Sequence, residues 1–432
     1  MQNKLFVAQY VDNYGPGSNG LMVAVQQLEG NLLDAGHEVL VVAPQAKGMN
    51  PHEGRAGRTE IRLPSIRVPK MPTRVANGNK FKRTINQVAA LQPDVIHAHG
   101  LGPVGVLGVW TALRTNTPLL LTWHTDFDAY ADYYARVLPL LRGIVSMFAR
   151  LNRGEVYDVR AIRAARLEFP DPEKASLLGL MRKMLLSANV VTAPSPKTLA
   201  RALQIAPEAN VVCVPNGVDP LPAGPPPVER GPGPLFLYVG RVAPEKGLNL
   251  LVDAFELVRE LHPDAQLMIV GDWERYPKIA KRLLAAQRGG NVLLPGEFPR
   301  NELGAFYAMA DCFVFPSVTD TQALVLHEAA LAGLPIVSAD PELNLVLEPR
   351  QNGELAGPAP TAFAAAMLRI IDRLEEPGWR ESAAQRSREL AGQWSVASQA
   401  AEMLRIYELT AQRKYEAVVR KHEDFGANRR AE

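Results

Sequence analysis

Cysteine is scarce: the 432 residues contain two, Cys213 in VVCVP and Cys312 in DCFVFP. Both lie in apolar runs, which suits reduced, buried thiols and argues against a disulfide framework or a cysteine-rich metal site. Also lacking is any stretch near the roughly 20 continuous apolar residues that a membrane-spanning helix requires. The start, MQNKLFVAQY, runs straight into a strand pattern without the basic, apolar and cleavage regions of a secretory signal. A cytosolic protein is therefore expected. Net charge is nearly absent, at +2 overall, so bulk charge names no partner and no nucleic-acid partner is expected. The regular G-x-G-x-x-G pattern with its following acidic residue is missing, which leaves a nicotinamide cofactor without support.

At 47% hydrophobic, a chain of 432 residues can bury two cores, because single cores seldom grow beyond about 250–300 residues. KLFVAQY, HEVLVVAP, DVIHAHG, PLLLTWH and NVVTAPS read as strands, with a helix over 21–35 after the first. Strands alternating with helix-sized segments predict an α/β fold whose parallel sheet is covered on both faces. Residues 1–214 form the first, Rossmann-like domain in this reading. Glycine and proline then accumulate in VPNGVDPLPAGPPPVERGPGP, which makes 215–234 an interdomain linker. PLFLYVG, AQLMIVG, NVLLPG, CFVFPS and PIVSAD supply strands of a second doubly wound domain over 235–393, with helices over 248–261 and 301–310 among them. A C-terminal helix over 394–415 is expected to pack back toward the first domain, and the polar tail 416–432 to fray. Ligands of open α/β folds bind outside the carboxyl ends of the strands, so function is sought there.

Chemistry concentrates in FPSVTDTQALVLHEAALAGLPIVSAD, whose pattern opens a helix near Gln322. Asp320 and Glu328 are separated by seven residues, a spacing that on a helix puts both carboxylates on nearly one face. A carboxylate accepts hydrogen bonds from two vicinal hydroxyls at once, as sugars and riboses require. The plainer alternative for Asp320 is a helix N-cap. His124 ends LLLTWH and is expected to project from the sheet, with a core or capping histidine as the alternative; His99 is a candidate of the same kind, and His97 is expected to pack inward. Gly15, Gly17 and Gly20 follow the first strand, where missing side chains let backbone approach a phosphate or acceptor unless they form an ordinary turn.

Positive charge is locally uneven. Between 55 and 83 there are nine Lys/Arg against one acid, Glu60, and between 131 and 166 seven arginines face three acids, with Leu138, Leu141, Val145, Phe148 and Leu151 at helical spacing. Such a basic amphipathic stretch lies on an anionic membrane surface, holds an acidic substrate, or is simply a solvated helix packed by its apolar stripe.

Taken in order, GPGSNGLMVAVQQLEGNLLDAGHEVLVVAP, DVIHAHG, WHTDFDAY, VPNGVD, VGRVAPEKGLNLLVDAF, IVGD, FPRNELGAFYAMADCFVFPS, the paired-acid segment and QNGEL resemble the family 4 retaining glycosyltransferases, in the motif style of bacterial glycosyl-diacylglycerol synthases. The resemblance spans nearly the whole chain. It implies the GT-B fold, two Rossmann-like doubly wound domains facing across a cleft, and a hexosyltransferase with a nucleotide diphosphate sugar, UDP- or GDP-linked, as co-substrate. It implies no tightly bound cofactor, and no divalent metal for donor binding.

By the same resemblance, Glu328 holds the nucleotide ribose and Asp320 the donor-sugar hydroxyls, helped by backbone N–H groups of Thr321, Gln322, Ala323 and Leu324. Arg241 and Lys246 in GRVAPEK, which taken alone read as two solvated loop charges, grip the diphosphate, where developing charge on a leaving phosphate calls for fixed cations and a helix N-terminus. His124 stands against the donor sugar near its 6-hydroxyl, and Gly17, Gly20 and Pro299 join the donor set. Asp126, Asp128, Tyr130 and His99 belong to the acceptor side, with Tyr133 and Tyr134 lining it. Asp126, Phe127 and Asp128 also match the D-x-D metal signature of single-domain transferases, but Arg241 and Lys246 supply the charge a metal would, and no metal site is expected. The implied reaction retains anomeric configuration by front-face attack, the acceptor hydroxyl losing its proton to the departing phosphate.

Two positions depart from the family pattern. Asp320 replaces the usual glutamate, one methylene shorter, and Ala323 stands where many relatives have glycine. The acceptor is read as a glycerolipid at the inner membrane face, served by a peripheral enzyme, or as a soluble secondary metabolite or sugar phosphate. A nucleotide-sugar-binding protein without turnover and a nucleotide-sugar epimerase are the readings from other classes.

Overall fold

The computed structural model describes residues 4–14, 20–45, 51–67, 74–124, 145–146, 149, 158–171, 174–225 and 228–418. Gly15, Gly17, Asp126, Phe127, Asp128, Tyr130, Tyr133, Tyr134, Leu138, Leu141, Phe148 and Leu151 lie outside the described residues, as does the tail beyond 418. The chain divides into two compact units, Met1–Pro215 with Gln399–Glu432, and Asn216–Ser398.

In the first unit the strands are β1 (Phe6–Val11), β2 (Glu38–Pro44), β3 (Arg58–Leu63), β4 (Ser65–Arg67), β5 (Arg74–Ala76), β6 (Val95–His99), β7 (Leu119–Thr122), β8 (Val190–Ala193) and β9 (Val211–Cys213). Seven of them form one sheet in the order β3-β2-β1-β6-β7-β8-β9, every neighbouring pair parallel. β4 and β5 pair separately and antiparallel. β1, β6, β7 and β8 are almost wholly buried along their length, which explains why they read as apolar runs rather than alternating patterns: helices cover both faces.

The order reverses between β1 and β6, the kind of switch point where open α/β sheets take their ligands. There Asp12, just past β1, accepts from the backbone N–H groups of Val104 (2.7 Å) and Gly105 (3.1 Å). It thereby caps the helix Pro103–Thr115. Glycine is required at 102, where a Cβ would sit 2.6 Å from the Asp12 carboxylate. The helix expected over 21–35 is Gly20–Asp34, so Gly20 opens a helix rather than lying in the preceding loop.

The C-terminal helix, expected over 394–415, is Val396–Ala411. Its Met403, Ile406 and Tyr407 share a core cluster with Val7, Val39, Val95 and Leu120. Alternation over the helical period is what brings those three to one face.

In the second unit β10 (Leu235–Val239), β11 (Gln266–Val270), β12 (Val292–Gly296), β13 (Cys312–Phe315), β14 (Ile336–Ser338) and β15 (Gly353–Leu355) form a sheet in the order β12-β11-β10-β13-β14-β15, again all parallel. The reversal falls between β10 and β13. Helix Leu248–Leu261 has the expected bounds, whereas the helix read over 301–310 is a 3-10 turn, Arg300–Glu302, leading into Leu303–Met309. The segment read as a linker is anchored at its start: Val218 N–H donates to Trp394 C=O (2.8 Å), and Val396 N–H to Asp219 (3.1 Å). A Cβ on Gly217 would lie 2.4 Å from the Ser395 carbonyl, so only glycine fits there.

The basic segment 55–83 is less basic in space than in sequence. Arg58, its side chain 5% exposed, pairs with Glu29 (2.6 Å) and Glu60 (2.5 Å), Arg55 pairs with Asp34 (2.6 Å), and Arg62 pairs with Glu60 and donates to the Tyr14 carbonyl. Glu29 and Asp34 come from the helix Gly20–Asp34, so a local charge count misses them. Of the apolar stripe between 138 and 151, Val145 is described, and it is buried in the first unit's core. Among the described residues no helix is long and apolar enough to cross a membrane.

Candidate active site

In the second unit the candidate residues gather beyond the carboxyl ends of β10 and β13. Gly247 ends the 3-10 turn Pro244–Lys246 with φ 72°, and a Cβ there would lie 2.3 Å from the Pro316 carbonyl. That close approach brings the loop after β10 against the loop after β13. Lys246 Nζ accordingly donates to Asp320 Oδ1 at 2.5 Å, the two side chains being 15% and 18% exposed. Ser317 Oγ donates to the other oxygen, Oδ2, at 2.6 Å. Burial opposes the charge on Asp320, but Lys246, Ser317 and Arg241 together outweigh it and hold the carboxyl below its ordinary value. Arg241 donates to Glu245 at 2.8 Å and is 37% exposed. Thr319 Oγ1 donates to the Glu245 carbonyl (3.2 Å), tying the two loops again.

Asp320 does not cap the following helix. That helix is Leu324–Leu331; Ala323 occupies its cap position in the left-handed region, φ 59°, and its methyl group makes no cap hydrogen bond. The helix opens two residues past Gln322, and the N-cap reading of Asp320 is overturned, because Lys246 and Ser317 hold its two carboxylate oxygens. Asp320 and Glu328 therefore share no helix face, since only Glu328 is helical.

Glu328 is 5% exposed. It accepts from Arg300 Nε and from the Tyr307 hydroxyl, each at 2.9 Å. Burial and the neighbouring Glu328 push the Tyr307 phenol well above its ordinary value, so it is a fixed donor. Sequence reading missed both partners. Pro299 precedes the turn Arg300–Glu302, and it is its neighbour that reaches Glu328. Arg300 lies in the 3-10 turn and Tyr307 in the helix after it, so no single helical spacing marked the two as a pair.

Gln322 is 4% exposed and its side chain faces Asn216. Oε1 accepts from Asn216 N–H (2.8 Å) and Nδ2 (2.7 Å), and Nε2 donates to the Asn216 carbonyl (2.9 Å). This contact was not legible in the sequence either.

In the first unit His99 ends β6 and His124 lies two residues past β7. His99 Nδ1 and His124 Nε2 are 3.2 Å apart. The expectation that His97 and His99 point oppositely is corrected: strand residues two apart share a face, their rings are 3.8 Å apart at the centroids, and both are buried, at 0% and 1%. His97 Nδ1 lies 2.6 Å from the Tyr407 hydroxyl and Nε2 2.7 Å from Thr122 Oγ1. Burial lowers His124 to about 4 and His97 and His99 well below their ordinary value, so all three are neutral imidazoles at neutral pH. Among the described residues no group of three or more His, Cys, Asp or Glu side chains is placed to hold a metal ion.

Two parallel, doubly wound sheets define the GT-B fold. Residues 18–220 match the family model described as Glycosyltransferase Family 4, and residues 233–373 that described as Glycosyl transferases group 1. Relatives include the alpha-monoglucosyldiacylglycerol synthases of Streptococcus pneumoniae, 22% identical with 81% of this chain and 74% of the relative covered, and of Acholeplasma laidlawii, 24% identical with 80% and 83% covered. A GDP-mannose-dependent alpha-mannosyltransferase of Mycolicibacterium smegmatis is 27% identical, with 77% and 79% covered. Among solved structures, sucrose-phosphate synthase of Thermosynechococcus elongatus superimposes with a TM-score of 0.68 at 20% identity, covering 94% of this chain and 98% of its own. HepE of Anabaena, in complex with UDP and glucose, does so at 0.64 and 15%, covering 94% and 99%. The chain is a hexosyltransferase, and it belongs to glycosyltransferase family 4.

Proposed function

We propose that this enzyme transfers a hexose from a UDP- or GDP-linked donor to a hydroxyl of a glycerolipid at the inner membrane face, with retention of anomeric configuration. The observation that carries the donor half is the Lys246–Asp320 pair, 2.5 Å apart, beside the start of helix Leu324–Leu331, whose cap residue is the apolar Ala323. In this reading the donor diphosphate takes the place at the helix start, with Lys246 and Arg241 neutralising it. Glu328, steadied by Arg300 and Tyr307, accepts from the ribose hydroxyls. Asp320 accepts from hydroxyls of the sugar, with backbone N–H groups of 321–324 alongside. His124, neutral at pH 7, serves a sugar hydroxyl as a hydrogen-bonding partner rather than as an acid.

The bond from the anomeric carbon to the diphosphate oxygen breaks as the bond to the acceptor oxygen forms on the same face. The acceptor proton passes to the departing phosphate oxygen. No side chain forms a covalent intermediate; positioning and fixed charge lower the barrier. Lys246 and Arg241 do the neutralising, so donor binding is expected to survive chelation of divalent ions.

The glycerolipid acceptor is supported by the two relatives named as alpha-monoglucosyldiacylglycerol synthases. A soluble acceptor is the second reading, favoured by the internal pairing of Arg55, Arg58 and Arg62, which takes positive charge away from a membrane surface. A mass-spectrometric screen of UDP- and GDP-hexoses against diacylglycerol vesicles and soluble alcohols tests both. Glycolipid with stoichiometric nucleotide release supports the proposal; product on soluble alcohols alone removes the lipid half, and no product with any donor removes the whole.

A further inference from the structure

We infer that Gln322 is a positioning residue: through Asn216 it sets where Asp320 stands relative to Glu328, and so governs binding of the sugar part of the donor rather than the nucleotide part. The inference rests on the donor reading above.

The Gln322 amide engages the backbone N–H and C=O of Asn216 together, at 2.8 and 2.9 Å, as a neighbouring strand would, and the Asn216 side chain adds a bond at 2.7 Å. Only one orientation of the amide satisfies this set, because the flipped form would set its NH2 against two donors and its oxygen against a carbonyl. Nε2 also lies 3.4 Å from His327 Nε2. Burial lowers His327 to about 4, so this imidazole is neutral and able to accept.

The base of the clasp is itself fixed. Gly217 is packed against Ser395 and Val396 so closely that no Cβ fits, and Val218 is bonded to Trp394. At the other end Ala323 is held at φ 59°, a left-handed backbone that alanine disfavours. Relaxation of that residue would swing 320–322 relative to the helix Leu324–Leu331, which carries Glu328. Gln322 is the buried side chain that stands between Asp320 and the strained residue and that is anchored outside the loop. Glu328 has its own supports in Arg300 and Tyr307, so the nucleotide end does not depend on the clasp.

Calorimetry on the full chain with UDP, GDP, UDP-glucose and GDP-mannose tests this, using the nucleotide the wild type prefers. Gln322→Met is expected to weaken the sugar nucleotide about tenfold and the bare nucleotide less than about twofold, on the scale of one or two buried hydrogen bonds. Gln322→Glu keeps the shape and both acceptor contacts but loses the donation to the Asn216 carbonyl, and should fall between wild type and Gln322→Met. Asn216→Ala should weaken the sugar nucleotide about threefold, by loss of a single bond, and add nothing further to Gln322→Met in the double variant. Equal weakening of both ligands, no weakening of either, or additive losses in the double variant would overturn the inference. Glu328→Gln separates it from the donor reading: if that variant binds the bare nucleotide as wild type does, the donor reading fails, whatever Gln322 does.

Discussion

Lys246 and Asp320, 74 residues apart in sequence, meet at 2.5 Å with each side chain more than four-fifths shielded from solvent. Such a pair is costly to halve, because the remaining charge is left without its partner in a poorly solvated place. Lys246→Ala is expected to destabilise the protein by about 1–3 kcal/mol, below the range for fully buried pairs because solvent still reaches both groups. Transfer activity should drop at least about a hundredfold, on the scale of losing a charged group that stabilises a leaving phosphate. Denaturant melts and initial rates with saturating acceptor check the two effects; wild-type turnover in this variant would count against the site.

The same pair has a pH signature. The Asp320 carboxyl is held below its ordinary value in the folded protein, so its contribution to stability is present above the unfolded value of about 3.9 and is lost as pH falls through the lower folded value. Asp320→Asn should remove that acid-side loss. Thermal melts between pH 5 and pH 2, compared for the two proteins, decide it; parallel curves would contradict the assignment.

Asp12 should behave in the opposite sense. Burial raises its carboxyl to about 6 despite the hydrogen bonds from Val104 and Gly105. The stability it contributes is therefore full below the unfolded value near 3.9 and is lost as pH rises through about 6. Asp12→Asn keeps an acceptor for the helix start and is expected to flatten the melting temperature between pH 4 and pH 6.5. A wild-type profile already flat across that window would refute this.

Ala323 at φ 59° carries backbone strain of about 1–2 kcal/mol. Glycine relieves it but widens the unfolded ensemble by about 0.4–1 kcal/mol. Ala323→Gly should therefore stabilise the protein by up to about 1.6 kcal/mol, the largest difference of those two terms. A fall in melting temperature would show that the methyl group contributes packing that outweighs the strain.

Tyr307 supports Glu328 through a buried hydroxyl. Tyr307→Phe is expected to cost about 1–2 kcal/mol of stability, the usual scale for removing one partner of a buried hydrogen bond. It should raise KM for the donor about three- to tenfold while changing kcat little, since a ground-state contact is lost. A kcat effect larger than the KM effect would place Tyr307 in the chemistry instead.

Much of this protein is local in origin. The buried parallel strands read as apolar runs because both faces of each sheet are covered, and helix Leu248–Leu261 followed from its apolar spacing. Asp320, Glu328, Arg241 and Lys246 stood out because their residue types and spacing lie in contiguous segments. The two departures, Asp320 and Ala323, were visible as substitutions, though the left-handed backbone at Ala323 was not.

What needed the tertiary structure was every partner contributed by a distant segment. Glu29 and Asp34 neutralise arginines more than 20 residues away, Arg300 and Tyr307 hold Glu328, and Asn216 holds Gln322 across 106 residues. The physical reason is the same in each case. A charged or polar side chain taken out of water must find a partner wherever folding puts one, and sequence spacing carries that information only within a helix or strand. The amino-acid sequence determined which carboxylates and cations stand close together in contiguous segments. The packing of the loops after β10 and β13 decided that Asp320 answers to Lys246 rather than to the helix it precedes.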